Sequence, residues 1–408
     1  MFHRPNTTIC REGWYYLFIT AIVFVGAMVK EVNLLLVLAG MMMGLLFFHW
    51  HALFVSLKGL TLQRKAPQAV CAGDLLAVGM RLSNSRPRFG SWGVTVEEQI
   101  QRESATSGSN HYFNHQQHGY NHDKPITTSV LFPYIPAGQQ RTGTYQGRLI
   151  RRGRYRLGPM RISTQFPFGL FCRKITIGQS ETLYVYPRLG RLTRRWLARH
   201  RQALAGADRR QRRPGPEGDF YGVREWRSGD SLRLMHWRSS ARTGKFVVRQ
   251  FEQPHNRDVA IILDTWLPEE PSAAQHENVE LAISFAATVL TDLCRLGGGK
   301  VHLGIYDGQA RCLGGPASGA LLQDMMKTLA VAEARSEDFL PPLIEHVLGD
   351  IDVASGREII LISTRPADLS DGERFAAIRS DAALHTAARH IRCIDTSNDE
   401  LEEYFIAE

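Results

Sequence analysis

The residues best suited to chemistry or recognition lie in one segment, Gly218 to Glu252. Arginines alternate there with tryptophan and phenylalanine, and guanidinium groups at this density need partners if they are buried. His236 and Asp230 have the residue types of an acid–base pair. The candidate residues are Arg224, Trp226, Gly229, Asp230, Arg233, His236, Trp237, Ser240, Arg242 and Glu252.

Three interpretations of this segment compete. In the first, it is an internal brace, with tryptophans packed between two domains and arginines paired with acids. In the second, it is a partner-docking surface, because Trp and Arg are enriched at binding hot spots. In the third, it is a catalytic or nucleic-acid site. The brace would use Arg224, Arg233 and Arg242 against Asp230, Glu225 or Glu252, with Trp226 and Trp237 between the domains.

Enzyme signatures are missing from the sequence. It contains no GxGxxG loop, no Walker A lysine and no GxSxG elbow. His236 and Asp230 have no nucleophile nearby, so we predict no catalytic residue, no cofactor and no enzymatic activity. Asp264, at the end of a predicted strand, is a weak metal candidate, and we predict no metal site. The histidine-rich insert Ser104–Asp123 fits a mobile hairpin loop better than a metal tract.

Two uncharged apolar runs, Trp14–Val29 and Leu34–Leu57, begin the chain. A bilayer-spanning helix needs about 20 residues; the first run is slightly short of this length and the second exceeds it. A short turn separates them. Basic residues flank both outer ends, so we predict a membrane hairpin with the following domains in the cytoplasm. The six scattered cysteines agree with reduced thiols. We therefore expect a multi-pass protein of the inner membrane.

The remaining chain changes pattern twice. Short alternating runs predict a β-sandwich with strands over Leu75–Leu82, Trp92–Ile100, Ile126–Leu131, Arg141–Ile150 and Met160–Thr164. Farther on, apolar runs such as Val259–Leu263 alternate with helical periodicity, which predicts a doubly wound α/β domain. Its further predicted elements include strands over Lys300–Tyr306, Glu358–Ser363 and Ile391–Asp395 and helices over Asp371–Ser380 and Asp399–Phe405. The fold class is thus α/β plus β. The predicted segments are a transmembrane hairpin (1–60), a β-sandwich-like domain (61–187), a basic linker with the central motif (188–257) and the α/β domain (258–408).

The net charge of +9 is concentrated in Arg188–Arg213, which contains ten arginines. Such a run suits an anionic lipid surface or nucleic acid, although a solvated linker is equally compatible with it. Trp196, Leu197 and Leu204 would form the apolar side of a helix lying on lipid.

The central motif resembles the domain-of-unknown-function 58 family of bacterial membrane-anchored proteins. The resemblance rests on Arg224-x-Trp226, Gly229-Asp230 and Arg233 through Arg242, on Arg152-Gly153 through Pro159, and on Pro167–Phe171. It implies a von Willebrand factor A-like last domain and a working association with MoxR-type AAA+ ATPases and transglutaminase-like membrane proteins. His236 and Phe166 stand where the family usually has an acid.

A magnesium-binding von Willebrand A domain would need an Asp-x-Ser-x-Ser loop. Here Trp266 and Pro268 replace both serines, and Arg365 stands where an Asp is wanted. We therefore expect a non-enzymatic membrane scaffold or co-chaperone that works with a cytoplasmic MoxR-type ATPase in protein maturation or envelope assembly. The alternative is a binder of anionic lipid or, less favoured, nucleic acid through Arg188–Arg213.

Overall fold

The computed structural model describes residues 6–103, 125–199, 215–251, 258–351, 358–369, 371 and 373–407. The chain divides into two compact units, Met1–Tyr186 and Pro187–Glu408. Pro187 is also where the sequence predicts the end of the strand-rich segment. The finer division into four segments stays a prediction. The histidine-rich insert and Glu252 lie outside the described residues.

The first unit begins with two helices, α1 (Arg11–Lys30) and α2 (Asn33–Leu57). Glu31 ends α1 in the left-handed conformation and starts the tight turn between them. Both helices are long and apolar enough to cross a bilayer, by length and composition. Their large side chains are largely exposed, including Phe18, Leu34 and Phe47. The predicted pair of apolar helices is confirmed, and its passage across a membrane stays a prediction.

Strands make up most of the rest of this unit. The five strands predicted between Leu75 and Thr164 are confirmed, four with longer bounds and Arg141–Ile150 with shorter ones. The described strands are β1 (Asn6–Ile9), β2 (Leu60–Lys65), β3 (Ala69–Cys71), β4 (Leu75–Asn84), β5 (Ser91–Glu103), β6 (Ile126–Ile135), β7 (Gln140–Arg148), β8 (Gly153–Thr164), β9 (Phe171–Ile177) and β10 (Glu181–Tyr186).

Two sheets share the core of the first unit. β2, β4 and β7 form a three-stranded sheet, and the other strands form a seven-stranded sheet in which β8 pairs with β5, β9 and β10. One hydrophobic cluster combines Leu62 and Val78 from the first sheet with Val96, Ile162 and Leu183 from the second. Buried residues alternate with more exposed ones along β4 and over most of β5, as a sheet with one buried face requires. Its membership of the β-sandwich class stays a prediction.

Arg86 fastens the C-terminal end of α2 to the strands. Its guanidinium donates to the carbonyl oxygens of Val55, Ser56 (3.1 Å) and Gly90 (3.2 Å). The Ser91 hydroxyl also donates to the Ser56 carbonyl, at 2.7 Å. The last carbonyls of a helix lack partners within the helix and carry partial negative charge, so a cation satisfies them well.

The turn Pro167–Phe171 packs against the same helix. The Phe168 and Phe171 rings meet the His49 ring edge-on, with centroids 5.7 and 5.4 Å away. Leu53 joins Leu170 and Phe171 in a small buried cluster. The turn is therefore a packed corner, and the element that it packs on is the second apolar helix, α2.

The second unit alternates strands and helices. The described strands are β11 (Arg191–Leu192), β12 (Gly215–Glu225), β13 (Val247–Phe251), β14 (Val259–Asp264), β15 (Lys300–Tyr306), β16 (Ala310–Pro316), β17 (Glu358–Ser363), β18 (Ile391–Asp395) and β19 (Phe405–Ile406). The labelled helices are α3 (Trp237–Thr243), α4 (Ala273–Leu296), α5 (Gly319–Val331), α6 (Leu340–Asp350), α7 (Ala376–Ser380) and α8 (Ala382–Ala388).

A five-stranded sheet in the order β16-β15-β14-β17-β18 forms the centre of this unit. β14, β15, β17 and β18 are parallel, and β16 is antiparallel at one edge. Ala260 and Ile262 pack in one cluster with residues of α6, α7 and α8. The intervening residues Ile261 and Leu263 point to the opposite face, and α4 also packs on β14. Helices therefore cover both faces, as predicted; a von Willebrand A-like class stays a prediction.

Three expectations for this unit were wrong in detail. β16 was not predicted, because the glycines at its end give it little intrinsic strand tendency, and pairing with β15 along its whole length fixes it. The helix predicted over 371–380 is reduced to α7. The predicted tail helix, Asp399–Phe405, is a 3₁₀ turn over Asp399–Glu403, and Phe405 then enters β19, which pairs with β11.

Trp196 is buried rather than available to lipid. It is 2% exposed, and its ring meets Phe285 of α4 at 5.2 Å and Tyr404 at 6.1 Å. Arg195 forms an ion pair of 2.7 Å with Glu403 in the same region. Leu204 lies outside the described residues. The expectation that Trp196 forms the apolar side of a lipid-bound helix is therefore wrong, because this ring completes the core beside α4.

Candidate functional site

The central motif is built on the antiparallel pair β12 and β13. Val223 lies opposite Arg249, and Arg224 opposite Val248. The connection between the strands is long, and it is folded back by backbone hydrogen bonds from Trp226 to Phe246 (2.8 Å) and from His236 to Val247 (2.8 Å). Most of the candidate residues therefore belong to one small, hydrogen-bonded element.

Arg224 and Asp230 form the strongest polar contact of the motif. Two guanidinium nitrogens of Arg224 donate to the two carboxylate oxygens of Asp230, each at 2.6 Å, and the backbone N–H of Arg227 donates to the same carboxylate at 2.8 Å. The hydrogen bond from Arg224 lowers the pKa of Asp230. Gly229 permits this turn, because its φ of 104° is rarely adopted by residues with a side chain.

Ser240 and His236 hold the short helix α3 in place. The buried Ser240 hydroxyl accepts from the backbone N–H of Val247 at 2.9 Å. The Nδ1 atom of His236 accepts from the backbone N–H of Ser239 at 3.2 Å and so caps the helix. A carboxylate is the usual acceptor for such a cap. His236 therefore caps α3 in the way that a carboxylate often does.

An acid–base pair is not formed. Both Asp230 oxygens are occupied by Arg224 and the Arg227 backbone. The His236 Nδ1 atom is committed to Ser239. The two candidate groups therefore serve the local fold instead of facing a common reacting position.

Large apolar side chains of the motif face outward. Trp237 is 64% exposed, and Trp226 is 39% exposed. Leu232 and Phe246 are exposed to a similar degree as Trp237. Apolar groups of this size in one small element are the composition of an interaction surface.

The remaining cations of the motif surround these side chains. Arg233 and Arg242 are exposed and form no ion pair with a residue that the structure describes. Glu225, the other acid considered for them, pairs with Lys245 at 2.7 Å. Of the three arginines considered for a brace, only Arg224 meets a described acid. We define the exposed surface of Trp226, Leu232, Arg233, Trp237, Arg242 and Phe246 as the motif face.

Asp264 lies at the carboxyl end of β14, where parallel sheets often bind ligands. It is 7% exposed. Ser363 donates to its Oδ2 atom at 3.0 Å, and Arg365 Nε lies 3.4 Å from the same oxygen. The Arg365 guanidinium also lies over the Trp266 ring, at 4.7 Å from its centroid. Burial raises the pKa of Asp264, against the opposing effects of Arg365 and Ser363.

A second carboxylate, Asp338, extends this cluster and was not anticipated from the sequence. Arg374 donates to it at 2.7 and 3.1 Å, and Arg365 donates to it as well. Burial alone would raise the pKa of Asp338, but the hydrogen bonds and charges of Arg374 and Arg365 lower it. Asp338 lies about 75 residues from Asp264 in the sequence, so only the fold shows that Arg365 bridges them.

These residues do not fit a magnesium ion. Mg²⁺ needs an octahedral set of oxygen ligands, whereas Arg365 lies where a cation beside Asp264 would lie. The adjoining cavity has a volume of about 20 Å³, which is room for one water molecule. Asp264 is therefore part of an arginine–carboxylate cluster.

Comparison with solved structures adds no fold assignment. The CARDB domain of PF1109 from Pyrococcus furiosus matches 31% of this chain and 94% of its own, with 12% identity and a TM-score of 0.19. The alkylpurine DNA glycosylase AlkC from Pseudomonas fluorescens matches 31% of this chain and 30% of its own, with 12% identity and a TM-score of 0.21. Scores this low carry no argument about fold or function.

Comparison with protein families is more informative. An uncharacterized protein of Bacillus subtilis, YeaD, is 21% identical over 255 residues, which are 61% of this chain and 60% of that protein. Residues 222–352 match the model of the family described as protein of unknown function DUF58. This range contains the whole motif face and the first strands of the α/β sheet. Residues 222–352 are thus similar to the DUF58 family, and a longer part of the chain is similar to YeaD.

Proposed function

We propose that this protein is a non-enzymatic membrane scaffold that presents the motif face to a protein partner. The proposal rests on the difference between the hydrogen-bonded residues of the motif and its exposed apolar side chains. Arg224, Asp230 and Ser240 are held by hydrogen bonds, while Trp237 and Leu232 remain exposed. A surface that hydrogen-bonded residues already hold in place loses little conformational entropy on binding.

The membrane part of the proposal rests on α1 and α2. Their lengths and composition suit a bilayer. Arg11 begins α1, Lys58 follows α2, and the intervening turn contains only the opposite charges Lys30 and Glu31. By the positive-inside rule, both outer ends of the hairpin and the chain that follows it face the cytoplasm. This gives a multi-pass protein of the inner membrane.

The proposed partner is a MoxR-type AAA+ ATPase, as the family resemblance implies. Arg233 and Arg242 give the motif face a positive charge, so the matching surface on the partner should be acidic with apolar pockets. A transglutaminase-like membrane protein is a further proposed member of the assembly. Domains of the β-sandwich and von Willebrand A-like classes would support the motif face rigidly. The proposed role is protein maturation or cell-envelope assembly.

Crosslinking in native membranes tests this partner. The full chain, its Leu232→Ala variant and its Leu296→Ala variant are crosslinked, purified and analysed for the MoxR-type ATPase by mass spectrometry. Leu296 is a matched control, because it is 63% exposed and Leu232 is 66% exposed in the same unit. We expect Leu232→Ala to reduce ATPase recovery at least fivefold and Leu296→Ala to leave it unchanged. Equal recovery from all three chains overturns the proposal.

The alternative, binding of anionic lipid or nucleic acid through Arg188–Arg213, has a different signature. Phosphate binding weakens steeply with salt, because bound counterions are released. Within the described part of this run, Trp196 is already buried in the α/β unit. A steep salt dependence of membrane or nucleic-acid binding that persists in Leu232→Ala would favour the alternative.

A further inference from the structure

Two grooves meet at Trp50, near the C-terminal end of α2. One runs between α1 and α2 and is wholly apolar, with a volume of about 420 Å³; its lining includes Leu17, Met43 and Phe47. The other, of about 660 Å³, lies between α2 and β9. Lys58, Arg173 and His51 line the second groove together with apolar side chains, and Trp50 lines both grooves. The second groove is therefore cationic, and the first is purely hydrocarbon.

Arg173 is the unusual member of this lining. Its guanidinium lies over the Phe54 ring, 3.9 Å from the centroid. Its Nε and Nη1 atoms are withdrawn from solvent and have no hydrogen-bond partner among the described residues. Burial lowers the pKa of Arg173, yet a guanidinium remains charged in proteins. Buried charged donors without an acceptor are costly, and an anion in the groove that Arg173 and Lys58 line would offset that cost by charge.

The two helices determine the level of the grooves within the bilayer. α1 has 20 residues, which at 1.5 Å per residue matches the about 30 Å of a hydrocarbon core. Its start is fixed beside Leu170, because the Cys10 N–H donates to the Leu170 carbonyl at 2.9 Å. Phe171, the next residue, contacts Trp50 at 5.8 Å between ring centroids. Trp50 and β9 therefore lie at the level where hydrocarbon gives way to headgroups, and Trp favours that level.

We propose that the two grooves form one binding site for an anionic phospholipid. The phosphate lies in the second groove against the positive charges of Arg173 and Lys58, while an acyl chain follows the apolar groove between α1 and α2. The inference rests on the membrane placement proposed above and is separate from the motif face. No acidic residue lines either groove in the described chain, so the charge of the site complements the ligand.

The test is native mass spectrometry of the full chain in detergent, titrated with phosphatidylglycerol or phosphatidylcholine. We expect the first phosphatidylglycerol to bind at least tenfold more tightly than phosphatidylcholine. Arg173→Gln should remove this preference, and Arg173→Lys should retain part of it. Lys174→Gln is the matched control, since Lys174 is the exposed next residue on the opposite face of β9 and the charge change is the same.

Three outcomes overturn the inference. The first is equal binding of the two lipids. The second is an equal loss in Lys174→Gln, which would indicate bulk charge rather than a site. The third is full displacement of phosphatidylglycerol by an equimolar amount of glycerol 3-phosphate, which would make a soluble phosphate the ligand. Alkaline carbonate extraction of native membranes separates the two proposals: release of the wild-type chain refutes membrane placement itself, whereas retention with no lipid preference refutes only the lipid site.

Discussion

Asp230 and Asp264 each lie beside an arginine, yet their pKa values move in opposite directions. For Asp230, the hydrogen bond from Arg224 is the largest influence and lowers the pKa. For Asp264, burial is the largest influence and raises it, although Arg365 opposes the change. A carboxylate buried at a strand end loses more hydration than one guanidinium at 3.4 Å restores. Similar pairs of residues thus have opposite effects on stability.

The first prediction concerns Asp264→Asn. A raised pKa in the folded state means that ionisation of Asp264 disfavours folding. The wild-type free energy of unfolding should therefore fall relative to Asp264→Asn as the pH rises from the ordinary value of 3.8 through the raised value. The slope cannot exceed about 1.4 kcal/mol per pH unit. Thermal midpoints of both full chains from pH 4 to 8 measure it.

Asp230→Asn is the control for the sign of this effect. A lowered pKa means that the ionised Asp230 stabilises the fold above its ordinary pKa, and that this contribution is lost as the pH falls. The free energy of unfolding of the wild type should therefore exceed that of Asp230→Asn most clearly at neutral pH. If the difference in free energy of unfolding between wild type and Asp264→Asn is constant with pH, the prediction is contradicted.

At the scale of elements, a buried polar network joins the two sheets of the first unit. Arg64 of β2 pairs with Glu98 of β5, and their side chains are 1% and 0% exposed. Tyr145 of β7 donates to the same carboxylate at 2.7 Å, and Arg64 also reaches Glu181 of β10 at 3.1 Å. Burial, together with its bond to Glu98, raises the pKa of Tyr145. Each sheet supplies two members, so the network fixes how the sheets pair.

The second prediction removes the centre of this network. Glu98→Ala leaves the buried Arg64 without its closest carboxylate, and the loss of one partner of a buried ion pair costs about 3–5 kcal/mol. Denaturant titration of the full chain should show the loss in the first unit. Glu97→Ala is the matched control, because Glu97 is the less buried neighbour on the opposite face of β5. A loss of equal size in both variants would contradict a special role for Glu98.

For the whole molecule, the orientation in the membrane can be tested at the turn between α1 and α2. Val32 is exposed there. If the hairpin crosses the membrane with both outer ends in the cytoplasm, Val32→Cys in spheroplasts should react with a membrane-impermeant maleimide. The wild type and Gln140→Cys, whose exposed position lies in the first unit, should react only after permeabilisation. Labelling of Gln140→Cys in intact spheroplasts would reverse the orientation.

Several elements could be predicted because their signals are local. The strands Lys300–Tyr306, Glu358–Ser363 and Ile391–Asp395 have the predicted bounds, since runs of apolar residues suit buried strands. β16 could not be predicted, because its strand conformation depends on pairing with β15. The pairing of Arg224 with Asp230 was among the alternatives, since the two lie six residues apart in one turn. The joining of Asp264 to Asp338 through Arg365 depends on how distant loops meet.

The sequence by itself determined which segments are apolar, where strands and helices alternate, and which residues form the central motif. These properties follow from side-chain type and spacing along the chain. Only the tertiary structure decided that Trp196 is buried beside α4, that Trp237 is exposed, and that Arg173 lies over Phe54 with unsatisfied donors. Burial and pairing depend on segments far apart in the chain, and the free energy of a charged or aromatic side chain is set by those neighbours.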